Sequence, residues 1–137
     1  MAAIFKKILC PIELDRIAIP ALELAIKIAA QSDATIILMS VIPQGQPSTP
    51  EADLRRVATD SLRGVGRKWL EGKFKHEIAV RMGDPVDAIL KAEDEFDADL
   101  VVMSTHGRTG ERREKLGSVT ERVVRLSTKP VLTIRPE

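Results

Sequence analysis

The stretch STHGRTGERREKLGS, residues 104–118, contains the residue types best suited to holding an anion. It has three glycines, one histidine and six charged side chains in fifteen residues. Glycines let a backbone come close to a ligand and turn successive N–H groups towards it. Ser118 then opens a predicted helix, and a helix N-terminus carries a partial positive charge. Loop and helix start together predict a phosphate site.

A simpler explanation of the same residues needs no ligand. Ser118-Val119-Thr120-Glu121 has the S-x-x-E pattern of a capping box, which would explain the serine and the glutamate alone. The chain contains neither the Gly-Lys-Ser/Thr of a P-loop nor the G-x-G-x-x-G of a dinucleotide site. On the residues alone, both explanations stay open.

Other candidates for chemistry are weaker. His106 and His76 lie far apart in the sequence, and no serine–histidine–aspartate order or metal-ligand spacing surrounds either. The acidic run EDEFDAD (93–99) closes a predicted helix and is interpreted as a solvated surface. Cys10 lies in an apolar run and is expected to be a buried, inert thiol. The sequence therefore predicts no catalytic residue and no metal ligand.

Strands and helices alternate along the predicted chain. Apolar and β-branched runs predict strands over 5–12, 33–42, 76–83, 98–104 and 131–134. Apolar residues at helical spacing predict helices over 18–30, 50–72, 83–96 and 119–126. The run 33–42 is apolar on both faces, which is typical of a strand covered on both sides in a parallel sheet.

Residue types at the helix ends predict where two of these helices begin. Thr49 is expected to be an N-cap with Pro50 at the first helical position, and Asp84 an N-cap with Pro85 following it. The apolar stripe of the second helix is predicted to comprise Leu54, Val57, Ala58, Leu62, Val65 and Trp69. Gly64 and Gly66 weaken this helix, so its late turns are expected to fray.

The β-α-β-α-β-α-β-α-β order predicts one domain, residues 1–137, with a doubly wound parallel α/β sheet and right-handed crossovers. In such sheets ligands bind beyond the C-terminal ends of the strands, where the strand order reverses. The stretch 104–118 follows the fourth predicted strand and lies at such an end.

Composition excludes some classes of partner. The chain has twenty-one Lys and Arg residues and twenty Asp and Glu residues, so its charges nearly cancel. No concentrated basic surface for nucleic acid is therefore expected. The chain has no tyrosine and one tryptophan, which argues against a platform for stacking bases. No run is long and apolar enough to cross a bilayer or to act as a secretory signal, and we expect a cytoplasmic protein.

The residues then match a known family. LVVMSTHGRTGERREKLGSVTERVVRLSTKPVLTI resembles the C-terminal half of universal stress proteins, in particular their nucleotide-binding branch. That branch carries the motif G-x2-G-x9-G-[ST], and Gly107, nine residues and Gly117-Ser118 match its second half. The segments ILCPIELD and VRMGDPVDAIL extend the resemblance over the whole chain.

The resemblance implies a Rossmann-like fold of the adenine nucleotide alpha hydrolase type, with five parallel strands in the order 3-2-1-4-5. It implies ATP or AMP at the switch point between strands 1 and 4, with any Mg²⁺ arriving on the phosphates. Gly107, Gly117, Ser118 and Val119 would hold phosphates, and Met103 and His106 would lie beside the nucleotide. Adenine and ribose would contact Pro11, Ile12, Glu13, Val41 and Gly83.

The sequence departs from the family pattern at three places. Ser104 stands at the motif's first glycine, Glu13 replaces the usual aspartate after the first strand, and the segment ERREKL is unusually charged. The resemblance implies a nucleotide-responsive regulatory dimer of the stress response, with an unidentified protein partner. Two alternatives are a nucleotide-free structural dimer and a slow ATPase or autophosphorylating switch.

Self-association is predicted through the C-terminal strand. KPVLTIRPE is a short strand between two prolines and is expected to form a sheet edge, which tends to be covered or paired. In the family this strand pairs with its copy across a two-fold axis. The resemblance therefore implies a homodimer through Val131, Leu132, Thr133 and Ile134.

Overall fold

The structure, a computed structural model, describes residues 4–14, 19–44, 48–105 and 117–135. Its strands are β1 (Lys7–Pro11), β2 (Thr35–Ile42), β3 (His76–Met82), β4 (Leu100–Ser104) and β5 (Val131–Ile134). Its helices are α1 (Ile19–Ser32), α2 (Glu51–Trp69), α3 (Pro85–Glu95) and α4 (Ser118–Leu126). Every predicted element is present, with ends that differ by a few residues.

The five strands form one parallel sheet in the order β3-β2-β1-β4-β5. The predicted fold class and strand order are confirmed. The chain runs outward from β1 through β2 to β3, then crosses back to place β4 on the other side of β1. The connections therefore reverse direction between β1 and β4.

Two apolar layers cover the faces of the sheet. One layer joins α1 and α2 to the strand residues Ile8, Cys10, Leu38 and Val102, and we call it the α1/α2 layer. The other joins α3 and α4 to Leu9, Met39, Val101 and Met103, and we call it the α3/α4 layer. Successive strand residues alternate between the layers, as the pleat requires. The central strands are thus apolar on both faces.

The start of β1 is held by Asp99, which directly precedes β4. Its Oδ2 accepts hydrogen bonds from the backbone N–H groups of Lys6 at 2.6 Å and Lys7 at 2.9 Å. Further along β1, Cys10 is buried, and burial raises the pKa of its thiol to about 12. The predicted inert thiol is confirmed, because the reactive thiolate is strongly disfavoured there.

Two predictions about helix starts had different outcomes. Asp84 is the N-cap of α3, and its side chain accepts from the Asp87 N–H at 3.0 Å, as predicted. The predicted Thr49 cap is wrong, since Pro50 occupies the N-cap of α2 and no side chain caps the helix. The backbone N–H groups of Asp53 and Leu54 instead donate to the Pro50 carbonyl oxygen, each at 3.1 Å.

Helix α2 also differs from its predicted stripe and from its predicted fraying. Val57 is 59% exposed, so its place in the apolar stripe was wrong. The helix continues through Gly64 and Gly66 to Trp69. A Cβ on Gly66 would lie 2.7 Å from Nε2 of His76, so the glycine allows β3 to pack closely here. Packing against the sheet therefore outweighs the low helix propensity of glycine.

Candidate functional site

The predicted site residues of the described chain lie at the carboxyl edge of the sheet. β1 and β4 are neighbours, with Ile8 opposite Leu100 and Leu9 opposite Val101. Pro11 ends β1 and Ser104 ends β4, so both strands deliver the chain to the same edge. Since the connections reverse between these two strands, this is the edge at which open α/β sheets bind ligands.

The end of β1 is fixed on β2. Pro11 pairs in register with Met39, and the N–H of Ile12 donates to the Met39 carbonyl oxygen at 2.7 Å. The Ile12 side chain is buried in the α1/α2 layer. Glu13 follows, half-buried, and its Oε2 atom is buried. A carboxylate thus lies just past the strand, where it can accept hydrogen bonds from hydroxyl groups.

Three apolar side chains of the predicted site share one face of the sheet. Met103 is buried in the α3/α4 layer, and the half-buried Val41 and Val119 pack against that layer. They come from three different elements, β4, β2 and α4. An apolar wall of this kind suits the flat face of an aromatic base.

Gly83 ends β3 in a conformation that favours glycine. Its φ is +127°, and its N–H donates to the Ile42 carbonyl oxygen at 2.9 Å. A Cβ added there would meet nothing within 4 Å among the described atoms. The backbone angle, rather than crowding, therefore disfavours any side chain at this position.

The start of α4 is not closed by a side chain. Gly117 is the N-cap, Ser118 is the first helical residue, and no side chain of the described residues caps the helix. The capping-box interpretation of Ser118 and Glu121 is therefore wrong. Instead, Oε1 of Glu121 accepts a hydrogen bond of 2.6 Å from Nη2 of Arg125. The first N–H groups of a helix have no intrahelical partner, so those of Ser118 and Val119 can bond to groups outside the helix.

The residues Ser104 and Thr105 join three elements. The Ser104 carbonyl oxygen accepts from the Thr120 hydroxyl of α4 at 2.8 Å, and the Thr105 carbonyl oxygen accepts from the Gly117 N–H at 2.5 Å. On its other side, the Thr105 N–H donates to Ile134 of β5 at 2.9 Å. We call this pair of residues the β4 junction. Sequence reasoning did not single out Thr120, although its spacing of three from Val123 places both on one helix face.

The remaining predicted site residues, His106 and Gly107, lie outside the described residues. Within residues 4–14, 19–44, 48–105 and 117–135, no three His, Cys, Asp or Glu side chains converge as metal ligands. Among the same residues, no helix is long and apolar enough to cross a membrane.

A buried carboxylate away from this edge was missed by the sequence. Glu93 of α3 is only 2% exposed, which corrects the prediction that the whole run 93–99 is solvated. The Ser127 hydroxyl lies 2.9 and 2.8 Å from its two oxygens. Burial raises the pKa of Glu93 and the Ser127 hydrogen bond lowers it, with smaller effects from Asp94, which raises it, and Lys129, which lowers it.

Comparison with known proteins places nearly the whole chain in one family. The model of the universal stress protein family matches residues 4–135. Universal stress protein MJ0531 of Methanocaldococcus jannaschii is 30% identical over 141 aligned positions, covering 96% of this chain and 83% of the relative.

Solved structures show the same architecture. The structure of MJ0577, from Methanocaldococcus jannaschii, superposes with a TM-score of 0.85 at 27% identity, covering 98% of both chains. A universal stress protein solved in complex with cAMP superposes with a TM-score of 0.71 at 24% identity, covering 98% of this chain and all of the other. The second likeness concerns the fold alone.

Proposed function

Because the chain belongs to the universal stress protein family, we propose that it binds an adenine nucleotide, ATP or AMP, at the carboxyl edge between β1 and β4. The observation that carries the proposal is the uncapped start of α4. Gly117 brings no side chain to the N-cap, and Ser118 is exposed beside it. Backbone N–H groups at a helix start bind phosphate oxygens well.

The other parts of the nucleotide are assigned by the chemistry of the surrounding residues. The apolar wall of Val41, Met103 and Val119 suits the adenine ring, which Pro11 and Ile12 would bound on the β1 side. The Glu13 carboxylate would accept hydrogen bonds from ribose hydroxyls, and Gly83 would let the third loop pass close to the sugar. Gly107, Gly117, Ser118 and Val119 would hold the phosphates, and His106 would lie beside the nucleotide.

Mg²⁺ would come with the nucleotide. The described residues offer no metal-ligand cluster, and Mg²⁺ favours phosphate oxygens and water. A cation bridging the phosphates would therefore need few protein ligands. The proposed function is binding, and no residue is assigned to hydrolysis.

The protein that adopts this fold in complex with cAMP shows that one neighbour accommodates an adenine nucleotide. For this chain, the nucleotide would act as a signal in a cytoplasmic regulatory dimer of the stress response. The proposed dimer forms through β5, an edge strand whose Leu132 is exposed.

Calorimetry with the full chain tests nucleotide binding. We expect heat on titration with ATP and AMP, and weaker binding of GTP, because the apolar wall offers no partners for the extra polar groups of guanine. Nucleotide released on denaturation and identified by mass spectrometry would support the same conclusion. Absence of both signals at millimolar ATP would overturn the proposal.

Two variants locate the site. Gly117→Val places a branched side chain over the phosphates while its φ of −65° and ψ of 156° remain allowed, so ATP binding should fall by about a hundredfold or more. Ser118→Ala should weaken ATP by about fivefold to tenfold through loss of one hydroxyl. Ser61→Ala, an exposed serine of α2, is the matched control and should bind ATP as the wild type does. Equal losses in Ser61→Ala and Ser118→Ala would contradict the proposed location.

A further inference from the structure

Thr120 is a buried polar side chain in the first turn of α4. It is 4% exposed, and its hydroxyl donates to the Ser104 carbonyl oxygen at 2.8 Å. Buried hydroxyl groups need such a partner, because leaving a buried polar group unsatisfied costs free energy. Thr120 therefore links the helix start to the last residue of β4.

A second hydrogen bond joins the same two segments. The N–H of Gly117, three residues before Thr120, donates to the carbonyl oxygen of Thr105, the residue after Ser104. Together the two bonds join the two ends of the segment that separates β4 from α4. They fix both the position and the direction of the first turn, because two bonds prevent rotation about either one.

The direction of that turn decides where its N–H groups point. Ser118 and Val119 lie between Gly117 and Thr120, the residues that make the two bonds. Their side chains differ from that of Thr120 in environment, since Ser118 is exposed and Val119 only half-buried. The anchors thus bracket Ser118 and Val119, two of the residues proposed to hold the phosphates.

We propose that Thr120 is a positioning residue for phosphate binding: its hydrogen bond to Ser104 holds the first turn of α4 so that the N–H groups of Ser118 and Val119 converge on the nucleotide phosphates. The inference rests on the proposed nucleotide function and deepens it. Thr120 itself touches β4 and no ligand. Its removal weakens the phosphate contribution and spares the contacts of the adenine and the ribose.

The ratio of adenosine and ATP dissociation constants isolates the phosphate contribution. Thr120→Val replaces the hydroxyl by a methyl group of similar size, and we expect its ATP affinity to fall about tenfold while its adenosine affinity stays within about twofold. Thr120→Ser keeps the hydroxyl and should restore most of the ATP affinity. Thr128→Val, on an exposed threonine beyond the helix, is the matched control and should behave as wild type.

A merely structural role would lower the stability of Thr120→Val without changing this ratio, since partial unfolding weakens both ligands equally. An unchanged ratio would therefore overturn the inference. Failure of the wild type to bind either ligand would overturn the proposed function, and the phosphate role of Thr120 with it. The two failures differ, because only the second one is seen in the wild type.

Amide hydrogen exchange without nucleotide checks the anchor directly. At the start of the helix, the Gly117 N–H donates to the Thr105 carbonyl oxygen and the Glu121 N–H donates to the Gly117 carbonyl oxygen. At its far end, the Ser127 N–H donates to the Val123 carbonyl oxygen. In Thr120→Val we expect the first two amides to exchange about tenfold faster relative to Ser127. Uniform acceleration of all three, or none, would overturn the inference.

Discussion

At the scale of single residues, Gly66 shows how one absent methyl group sets the spacing between α2 and β3. The His76 ring lies where a Cβ on Gly66 would stand, with Nε2 2.7 Å and Cδ2 3.1 Å away. Its Nδ1 lies 3.3 Å from the Phe74 carbonyl oxygen, which holds the ring in place. Gly64, two positions away on the same helix, has only the Nη2 atom of Arg67 within 4 Å of an added Cβ, at 4.0 Å.

The same substitution should therefore have opposite effects at these two glycines. Gly64→Ala should raise the free energy of unfolding by about 0.5–1 kcal/mol, because alanine favours the helix and meets open space. Gly66→Ala should lower it by about 1–3 kcal/mol, because the new methyl group overlaps the His76 ring. Urea unfolding of both variants measures the two values.

The double variant Gly66→Ala, His76→Ala supplies the control. Removing the ring should recover much of the loss, so that the two changes are not additive. A change of the same sign in the free energy of unfolding of Gly64→Ala and Gly66→Ala would contradict this explanation.

At the scale of elements, Glu93 links α3 to the connection between α4 and β5. The Ser127 hydroxyl touches both carboxylate oxygens, lies 3.2 Å from the Lys129 carbonyl oxygen and accepts from the Lys129 N–H at 3.0 Å. A hydroxyl has one proton to donate, so the Ser127 hydroxyl must donate its hydrogen bond to Glu93 when Glu93 is ionised. A neutral Glu93 can donate to Ser127, which leaves the serine proton for the Lys129 carbonyl oxygen.

Burial raises the folded-state pKa of Glu93 above its ordinary 4.5, against the opposing effect of Ser127. Between 4.5 and the raised folded pKa, the folded state binds more protons than the unfolded state. Ionisation of Glu93 therefore lowers stability as pH rises through this window. Glu93→Gln, which keeps a donor and an acceptor, should gain stability over wild type across the same window and show no such gain below it.

Urea unfolding of wild type and Glu93→Gln at a series of pH values tests this prediction. Glu93→Ala should cost about 1–3 kcal/mol below this window, since it removes the hydrogen bond to Ser127 and opens a cavity, and less above it, where ionisation of Glu93 already destabilises the wild type. Asp94→Asn, at the exposed neighbour, is the control and should change the profile less. A stability difference between wild type and Glu93→Gln that is independent of pH would contradict the assignment.

The elements themselves could be predicted because their signals are local. The run 33–42 is apolar on both faces wherever it lies, and Asp84 caps α3 through a contact three residues away. The burial of Glu93 could not be predicted, because it depends on Ser127, 34 positions along the chain. The start of α4 was predicted one residue late and its cap wrongly, since Gly117 takes the N-cap through a bond to Thr105. Long-range contacts of this kind leave no pattern in the neighbouring residues.

At the scale of the whole molecule, β5 leaves one edge of the sheet unpaired within the described chain. Leu132 on this strand is 38% exposed, and α4, which leads into it, also exposes Val124 and Leu126. Exposed edges with apolar side chains tend to pair with another strand. These features support the proposed homodimer through β5.

Substitution of Leu132 by lysine should disrupt that dimer, because a charge on a paired edge must be desolvated. Sedimentation velocity at tens of micromolar should show a dimer for wild type and mostly monomer for Leu132→Lys. Val57→Lys is the matched control, since it changes an exposed apolar residue on α2, and it should remain dimeric. A monomeric wild type, or equal dissociation of both variants, would contradict the proposed interface.

The β4 junction has a thermodynamic consequence for proposed nucleotide binding and proposed dimerisation. The same pair of residues bonds Gly117 and Thr120 at the proposed phosphate site and Ile134 on the proposed dimer strand. A ligand that displaces this pair acts on both neighbours at once, which creates a coupling free energy between them. Reciprocity then requires that any factor by which nucleotide strengthens or weakens self-association equals the factor by which self-association changes nucleotide affinity. The cell's concentration of the protein would thereby help to set its sensitivity to ATP.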